Sequence, residues 1–328
     1  MAKKYNIYGM GNALVDIVTE VSDEFFAANA IEKGVMTLVD ETRQSQLVSA
    51  IDLPNAAKQC GGSAANTVIG AAQLGATSFY SCKVADDQMG LFYTQDLKAN
   101  GADCNLDPEK LPAGITGKCL VMTSSDAERT MNTFLGITAD YSTNEVAQAA
   151  IADSDYIYIE GYLIASETAR EAMQIAIAHA KANGVKTAIT LSDPNMVTFF
   201  NKELKAVIGD GVDLLFCNEE EALLFTETKD IESAKSALKK YAKTFACTLG
   251  AKGACVYDGS QFIDIDPVPT KAIDTNGAGD LFAGAFLYGI TNGLSYAKAG
   301  KLASRASSLV VSKFGPRLEK EQLQALLD

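Results

Sequence analysis

The string Asp274-Thr275-Asn276-Gly277-Ala278-Gly279-Asp280 places turn-forming glycines next to a carboxylate. Gly277 and Gly279 allow the backbone to turn sharply and to approach a ligand closely. The run LFAGAFLYGI that follows reads as a helix. The N–H groups around Gly277, Ala278 and Gly279 would stand at its start without intrahelical partners, forming an anion hole. Asp280 sits in the first turn. A carboxylate beside a phosphate is electrostatically odd unless it does something. It could accept the proton of an alcohol that attacks a phosphoryl group. Anion hole and base together are what phosphoryl transfer to a hydroxyl needs. The plainer reading is a glycine-rich helix start with Asp280 favouring the helix dipole. The complete string, which follows a strand-like segment and precedes a Gly- and Ala-rich helix able to pack closely on a sheet, outweighs it.

Other positions have the right chemistry with plainer alternatives beside them. Asp16 follows a strand and the Gly9-Met10-Gly11-Asn12 turn, and a carboxylate can accept two hydrogen bonds from a vicinal diol. It could equally be a surface aspartate at a hinge. Gly61-Gly62 permits close backbone approach to a ligand, or makes an ordinary turn. Asn218 and Glu221 begin a helix after a buried strand, where capping alone would explain Asn218. Thr248, Gly250 and Gly253 stand at a spacing that a hairpin turn alone would explain.

The elements that must position these residues alternate between strands and helices. Ser142 with Glu145 fits a capping box before EVAQAAIA. A buried strand YIYIEG (156–161) is followed by a helix from about 167 to the stop signal Asn183-Gly184. Then come VKTAITLS, a loop with Asp193-Pro194, a helix, VDLLFC (212–217), the helices EEEALLF and IESAKSALKKYA, and the strand TFACTLG. This rhythm predicts an α/β fold with a mainly parallel central sheet flanked by helices. Two stretches, about 16–40 and 115–137, lack long helical patterns and carry β-prone pieces. They are expected to form a small β-rich lid at the carboxyl ends of the main strands, where open α/β sheets bind ligands. No linker or repeat divides the 328 residues, so one domain spanning 1–328 is expected.

Composition excludes several classes. A formal net charge of −13 argues against a nucleic-acid partner. No apolar run approaches the roughly 18 residues of a membrane span, and no secretory signal precedes the first strand, so a cytoplasmic address is expected. The seven cysteines form no C-x-x-C pair and read as buried free thiols. The single histidine, His179, lies in a helical run, which disfavours a Ser-His-Asp enzyme or a histidine-rich metal site. A Rossmann fingerprint fails because Leu14 stands where the third glycine belongs, and no P-loop occurs. A sensor without catalysis remains open on this fold, although the intact Asp280 speaks against it.

DTNGAGDLFAGAFL resembles the C-terminal signature of the PfkB/ribokinase family of carbohydrate and nucleoside kinases. Four further stretches resemble the family in order: GMGNALVDI (9–17), CGGSAANT (60–67), CNEEEA (217–222) and TLGAKG (248–253). TGKCLVMTSSDAERTMNTF resembles its second lid segment. The likeness is greatest to adenosine kinases. It implies a ribokinase-like fold and ATP-dependent phosphorylation of an alcohol, with Asp280 as base and Gly277, Ala278 and Gly279 as the anion hole. It implies acceptor contacts from Asn12, Asp16, Gly61, Gly62, Ser63, Asn66 and Asn276, with Met131 and Leu135 against a purine. Nucleotide contacts would come from Asn218, Glu221, Thr248, Gly250, Gly253, Asp274 and Thr275. Glu221 would act on magnesium through a water, and an activating monovalent cation fits the family. The acceptor would be the 5′-hydroxyl of a nucleoside, adenosine first. Asp193-Pro194-Asn195 resembles members acting on fructose or ketodeoxygluconate, which keeps a free sugar such as ribose or fructose, or a sugar acid, as the alternative. The resemblance fits a monomer or a homodimer joined through the lid.

Overall fold

The computed structural model describes residues 3–51, 56–124 and 129–327. Residues 125–128, within the second expected lid segment, lie outside the described residues, as do 1–2, 52–55 and 328. The first half runs β1 (Tyr5–Met10), β2 (Leu14–Glu20), α1 (Asp23–Ala28), β3 (Met36–Leu38), α2 (Glu41–Ser49), β4 (Ala57–Gly61), α3 (Ser63–Leu74), β5 (Ser78–Ser81), α4 (Gln88–Ala99), β6 (Ala102–Cys104), β7 (Gly117–Thr123) and β8 (Arg129–Phe134). Next come α5 (Gln148–Ala152), β9 (Ser154–Ile159), α6 (Glu167–Ala182), β10 (Lys186–Thr190), α7 (Pro194–Ile208), β11 (Val212–Asn218), α8 (Glu219–Thr226), α9 (Ile231–Leu238) and β12 (Ala242–Thr248). The chain ends with β13 (Ala254–Tyr257), β14 (Phe262–Ile265), α10 (Ala278–Thr291), α11 (Tyr296–Val311) and α12 (Lys320–Gln324).

The main sheet has the order β14-β13-β12-β11-β10-β9-β1-β5-β6. From β6 to β12 it is parallel, and β13 and β14 close one edge antiparallel. In β9, Tyr156 and Tyr158 face one apolar core with α3, α10 and α11, while Ile157 and Ile159 face a second core with α6 and α7. Side-chain alternation along a strand buried on both faces produces this split.

A second sheet, β3-β8-β7-β2-β4, draws on both stretches expected to form the lid. It also takes β4, which lies outside both stretches; β4 pairs antiparallel with β2 and brings Gly61 opposite Leu14.

Local differences have local causes. The Ser142–Glu145 capping box forms, but it caps a short 3-10 turn over Thr143–Glu145. Val146 is extended, at φ −73° and ψ 105°, so the α-helix begins only at Gln148. The segment before the Asp274 string is not a strand. β14 ends at Ile265, and Pro267 and Pro269 follow without N–H groups to extend a ladder. Helix α9 stops at Leu238, so Ala242 and Lys243 already belong to β12.

Candidate active site

Helices α3 and α10 begin side by side. Each is preceded by a glycine in a positive-φ conformation: Gly62 at 106° and Gly277 at 75°. The two helices are in close contact along their length. A Cβ on Gly284 would lie 2.5 Å from the Thr67 carbonyl oxygen, and one on Gly70 would lie 2.6 Å from Leu281. Gly284 therefore serves the packing of α10 on α3 and Gly289 its packing on α11, while Phe286 meets Phe216 of the sheet.

This approach sets Asp280, in the first turn of α10, against the first turn of α3. Ser63 Oγ donates to Asp280 Oδ1 at 2.6 Å, and Asn66 Nδ2 donates to Oδ2 at 3.0 Å. Both residues were expected as acceptor contacts; their hydrogen bonds run to Asp280, although both also line the cavity. Burial pushes the Asp280 carboxyl up to about 6, opposed by those two donors and by the charge of Arg317.

The cavity in front of Asp280 has a volume of about 780 Å³. Of the expected acceptor residues, Asn12, Asp16, Gly62, Ser63, Asn66, Met131, Leu135 and Asn276 line it. Asp16 is 7% exposed on β2, and a Cβ on Gly61 would fall 2.3 Å from its Oδ1, so Gly61 leaves room for that carboxylate. A Cβ on Gly62 would strike the Asn12 carbonyl oxygen at 2.2 Å. Met131 and Leu135 stand with Met36 and Leu38 on the small-sheet side.

Glu160, which sequence reasoning passed over, ties these parts together. It ends the apolar run of β9 and is 1% exposed. Its Oε1 accepts from the Asn12 N–H at 3.3 Å and from Asn12 Nδ2 at 2.9 Å. Its Oε2 accepts from the Ala64 N–H at 2.8 Å, in the first turn of α3. Burial pushes its carboxyl up to about 7, with nearby Asp280 adding to the rise. A lone acid at the carboxyl end of YIYIEG was the signal available for it. Met36, Leu38 and Tyr162 also line the cavity without having been singled out.

On the opposite flank, Asn218 and Glu221 form a reciprocal capping box. The Asn218 N–H and Nδ2 donate to the two Glu221 oxygens at 3.0 and 2.7 Å, and the Glu221 N–H donates to Asn218 Oδ1 at 2.8 Å. The capping explanation therefore holds, yet both residues also face the cavity. Burial pushes the Glu221 carboxyl up to about 7. The charged side chains acting on it are acids, Asp193 and Glu220, a setting that would suit a hydrated magnesium ion shared with phosphates. Among the described residues no cluster of three acids, histidines or cysteines could hold a metal alone. Thr248, Thr275, Gly277, Ala278 and Gly279 line the cavity. Gly250 and Gly253 instead shape the β12–β13 hairpin, closed by the Leu249 N–H on the Gly253 carbonyl at 2.8 Å. Asp274 is spent on the loop, accepting from the Asn276 and Gly315 N–H groups. Asp193 caps α7, accepting from the Asn195 N–H at 2.7 Å, which gives Asp193-Pro194-Asn195 a structural use.

Comparisons with known proteins agree with this geometry. Residues 34–323 match the pfkB family carbohydrate kinase pattern. The crystal structure of adenosine kinase from Sinorhizobium meliloti superposes with a TM-score of 0.89 at 36% identity, covering 99% of this chain and 98% of that one. Adenosine kinase 2 of Arabidopsis thaliana is 28% identical over 333 residues, 94% of each chain. The 5-dehydro-2-deoxygluconokinase of Bacillus anthracis is 29% identical over 271 residues, 78% of this chain and 81% of that protein. The chain belongs to the pfkB family of carbohydrate kinases, ATP-dependent enzymes that phosphorylate a hydroxyl group of a sugar or nucleoside.

Proposed function

We propose that this kinase phosphorylates the 5′-hydroxyl of a nucleoside, adenosine first, using the magnesium complex of ATP. The observation that carries the choice is the lining of the cavity. Four carboxylates, Asp16, Glu160, Glu221 and Asp280, face it, and no lysine, arginine or histidine occurs among its described lining residues. A sugar acid brings a carboxylate that would find no counter-charge there. A neutral nucleoside meets Asp16 with its ribose diol and the apolar side chains of Met36, Leu38, Val121, Met131 and Leu135 with its base.

In this reading the small sheet acts as a lid over the acceptor. Asp16 holds the 2′- and 3′-hydroxyls, which directs the 5′-hydroxyl toward Asp280. Asp280 takes the proton as the γ-phosphoryl group moves, and the N–H groups of Gly277, Ala278 and Gly279 meet the developing charge. Asn218, Glu221, Thr248 and Thr275 flank the nucleotide. Glu221 would hold magnesium through a water, and that ion would supply the phosphate neutralisation that a lining without cationic side chains does not.

Purified protein assayed with ATP and magnesium against adenosine, ribose, fructose and ketodeoxygluconate tests the proposal. Adenosine should give the highest kcat/KM, by about tenfold or more, with adenosine 5′-monophosphate as product, and excess chelator should abolish turnover. Better use of the sugar acid than of adenosine would reject it.

A further inference from the structure

The C-terminal segment after α11 touches both the loop that leads into α10 and the first turn of α3. The Gly315 N–H donates to Asp274 Oδ2 at 2.8 Å, and Pro316 lies so close to Gly277 that a Cβ there would be 2.3 Å from its carbonyl oxygen. Arg317, whose side chain is 10% exposed, reaches from this segment to the first turn of α3. Its Nε donates to Asn66 Oδ1 at 2.9 Å and Nη2 to Cys60 Sγ at 3.4 Å, while Nη1 stands 3.8 Å from Asp96 Oδ2. Asp96 is itself held, by the Cys60 N–H at 2.8 Å and by Asn100 Nδ2 at 3.3 Å.

A guanidinium can only donate hydrogen bonds, and an ionised carboxylate can only accept them. Asn66 lies between one of each. Arg317 therefore compels the amide to present its oxygen on one side, and the NH2 is left for Asp280 Oδ2 on the other. Without that donor the amide could rotate by half a turn and set its oxygen against the carboxylate. We propose that Arg317 is a positioning residue for phosphoryl transfer, orienting the Asn66 amide and through it Asp280. The inference rests on Asp280 being the base, but it does not depend on which acceptor is used.

Asp280 is faced by Ser63 and Asn66 from α3, by Arg317 from the C-terminal segment, and by Tyr158, Glu160 and Tyr162 from β9 and the turn after it. Among these groups Arg317 alone carries positive charge. Its removal has two consequences that simple loss of packing lacks: a misoriented base, and an acid limb displaced to higher pH.

The test compares the wild type with Arg317→Met, Arg317→Lys, Asn66→Ala and the double variant Asn66→Ala with Arg317→Met. The acceptor is whichever one the substrate panel identifies, and each variant's melting temperature is recorded. Arg317→Met should lower kcat by about 10- to 100-fold, leave KM for ATP within about twofold, and move the acid limb of kcat/KM upward. Arg317→Lys should return the limb toward the wild-type position while restoring only part of kcat, because lysine lacks the planar fork. In the Asn66→Ala background Arg317→Met should add little further loss of kcat, the mark of one shared pathway. Unchanged kcat and limb in Arg317→Met overturn the proposal. So do effects that add fully in the double variant, or a kcat loss with an unmoved limb. If Arg317→Met does not fold, Arg317→Lys decides: full wild-type kcat there is the overturning result. Asp280→Asn in the same assay separates the two levels, because retained turnover in that variant removes the base assignment itself.

Discussion

On the cavity wall built by α3 and α10, each oxygen of Asp280 already has a donor, and the Asn66 donor is braced from behind by Arg317. On the facing wall, β3 is an edge strand of the small sheet, with Met36 45% exposed and Leu38 60% exposed. The first wall is complete in the protein alone. The second presents apolar surface that gains only when something covers it. Groups aligned beforehand raise turnover because no reorganisation is needed during the reaction, whereas surface covered by the acceptor acts through affinity. Damage to the first wall should therefore appear in kcat, and damage to the second mainly in KM for the acceptor.

The largest effect belongs to Asp280. Asp280→Asn keeps the size of the side chain but cannot accept the proton. We expect kcat to fall about 10³-fold, with ATP affinity by calorimetry within about threefold of wild type. In the wild type, kcat/KM should rise as pH increases through about 6, since the base works when ionised and burial has raised its carboxyl to that value. Near-normal turnover in the variant, or an acid limb that stays flat down to pH 4, would remove Asp280 from the chemistry.

Gly279 provides a sharper contrast within the same wall. A Cβ at Gly279 meets no protein atom within 4 Å, whereas one at Gly277 would collide with Pro316. Gly279→Ala should therefore leave the fold intact, and even stabilise it by about 0.5–1 kcal/mol through helix propensity. Its methyl would occupy the place of the phosphoryl group, and kcat/KM should fall about 100-fold. A melting temperature at or above wild type combined with lost activity is the expected pair of readings. An active Gly279→Ala enzyme would show that the anion hole lies elsewhere.

Asp16 tests the border between the walls, because it belongs to the small sheet yet is 7% exposed. Asp16→Ala should lower kcat/KM for the acceptor about 30-fold, through a higher KM and a misplaced hydroxyl. KM for ATP should hardly move. An equal loss for both substrates would mean that the residue supports the sheet rather than the acceptor.

The first wall was more legible in the sequence than the second, and for a physical reason. Asp280 and its glycines form one contiguous string whose helix start requires little beyond local geometry. From β9 to β12 the βαβ rhythm of the main sheet was readable because the strands are short, apolar and separated by helices. β4 was not readable: Ala57, Lys58 and Gln59 show no apolar alternation, and the strand exists because β2 pairs with it. Arg317 was invisible for a similar reason. It acts on Asn66 across 251 residues of sequence, and no local pattern encodes that meeting. Glu160 stood at the end of a strand that was read correctly, but its three hydrogen bonds depend on how Asn12 and Ala64 are brought to it.

The smallest effect, and the one most specific to a nucleoside, concerns Met131 and Leu135. Both line the cavity and are partly exposed in the protein alone. Fully burying such a side chain contributes about 1.5–3 kcal/mol. Each is already mostly covered, so a purine should add about a third of that. Met131→Ser or Leu135→Ser should then raise KM for adenosine roughly 2- to 5-fold, with kcat within about twofold because the Asp280 wall is untouched. Ribose, assayed as a slow alternative acceptor, reaches Asp16 without reaching these side chains, so its KM should stay within about twofold of wild type. Steady-state kinetics on both acceptors make the comparison. A matching loss with ribose would mean that the substitutions disturb the small sheet as a whole. A loss in kcat instead of KM would mean that the two walls do not divide the work as their construction implies.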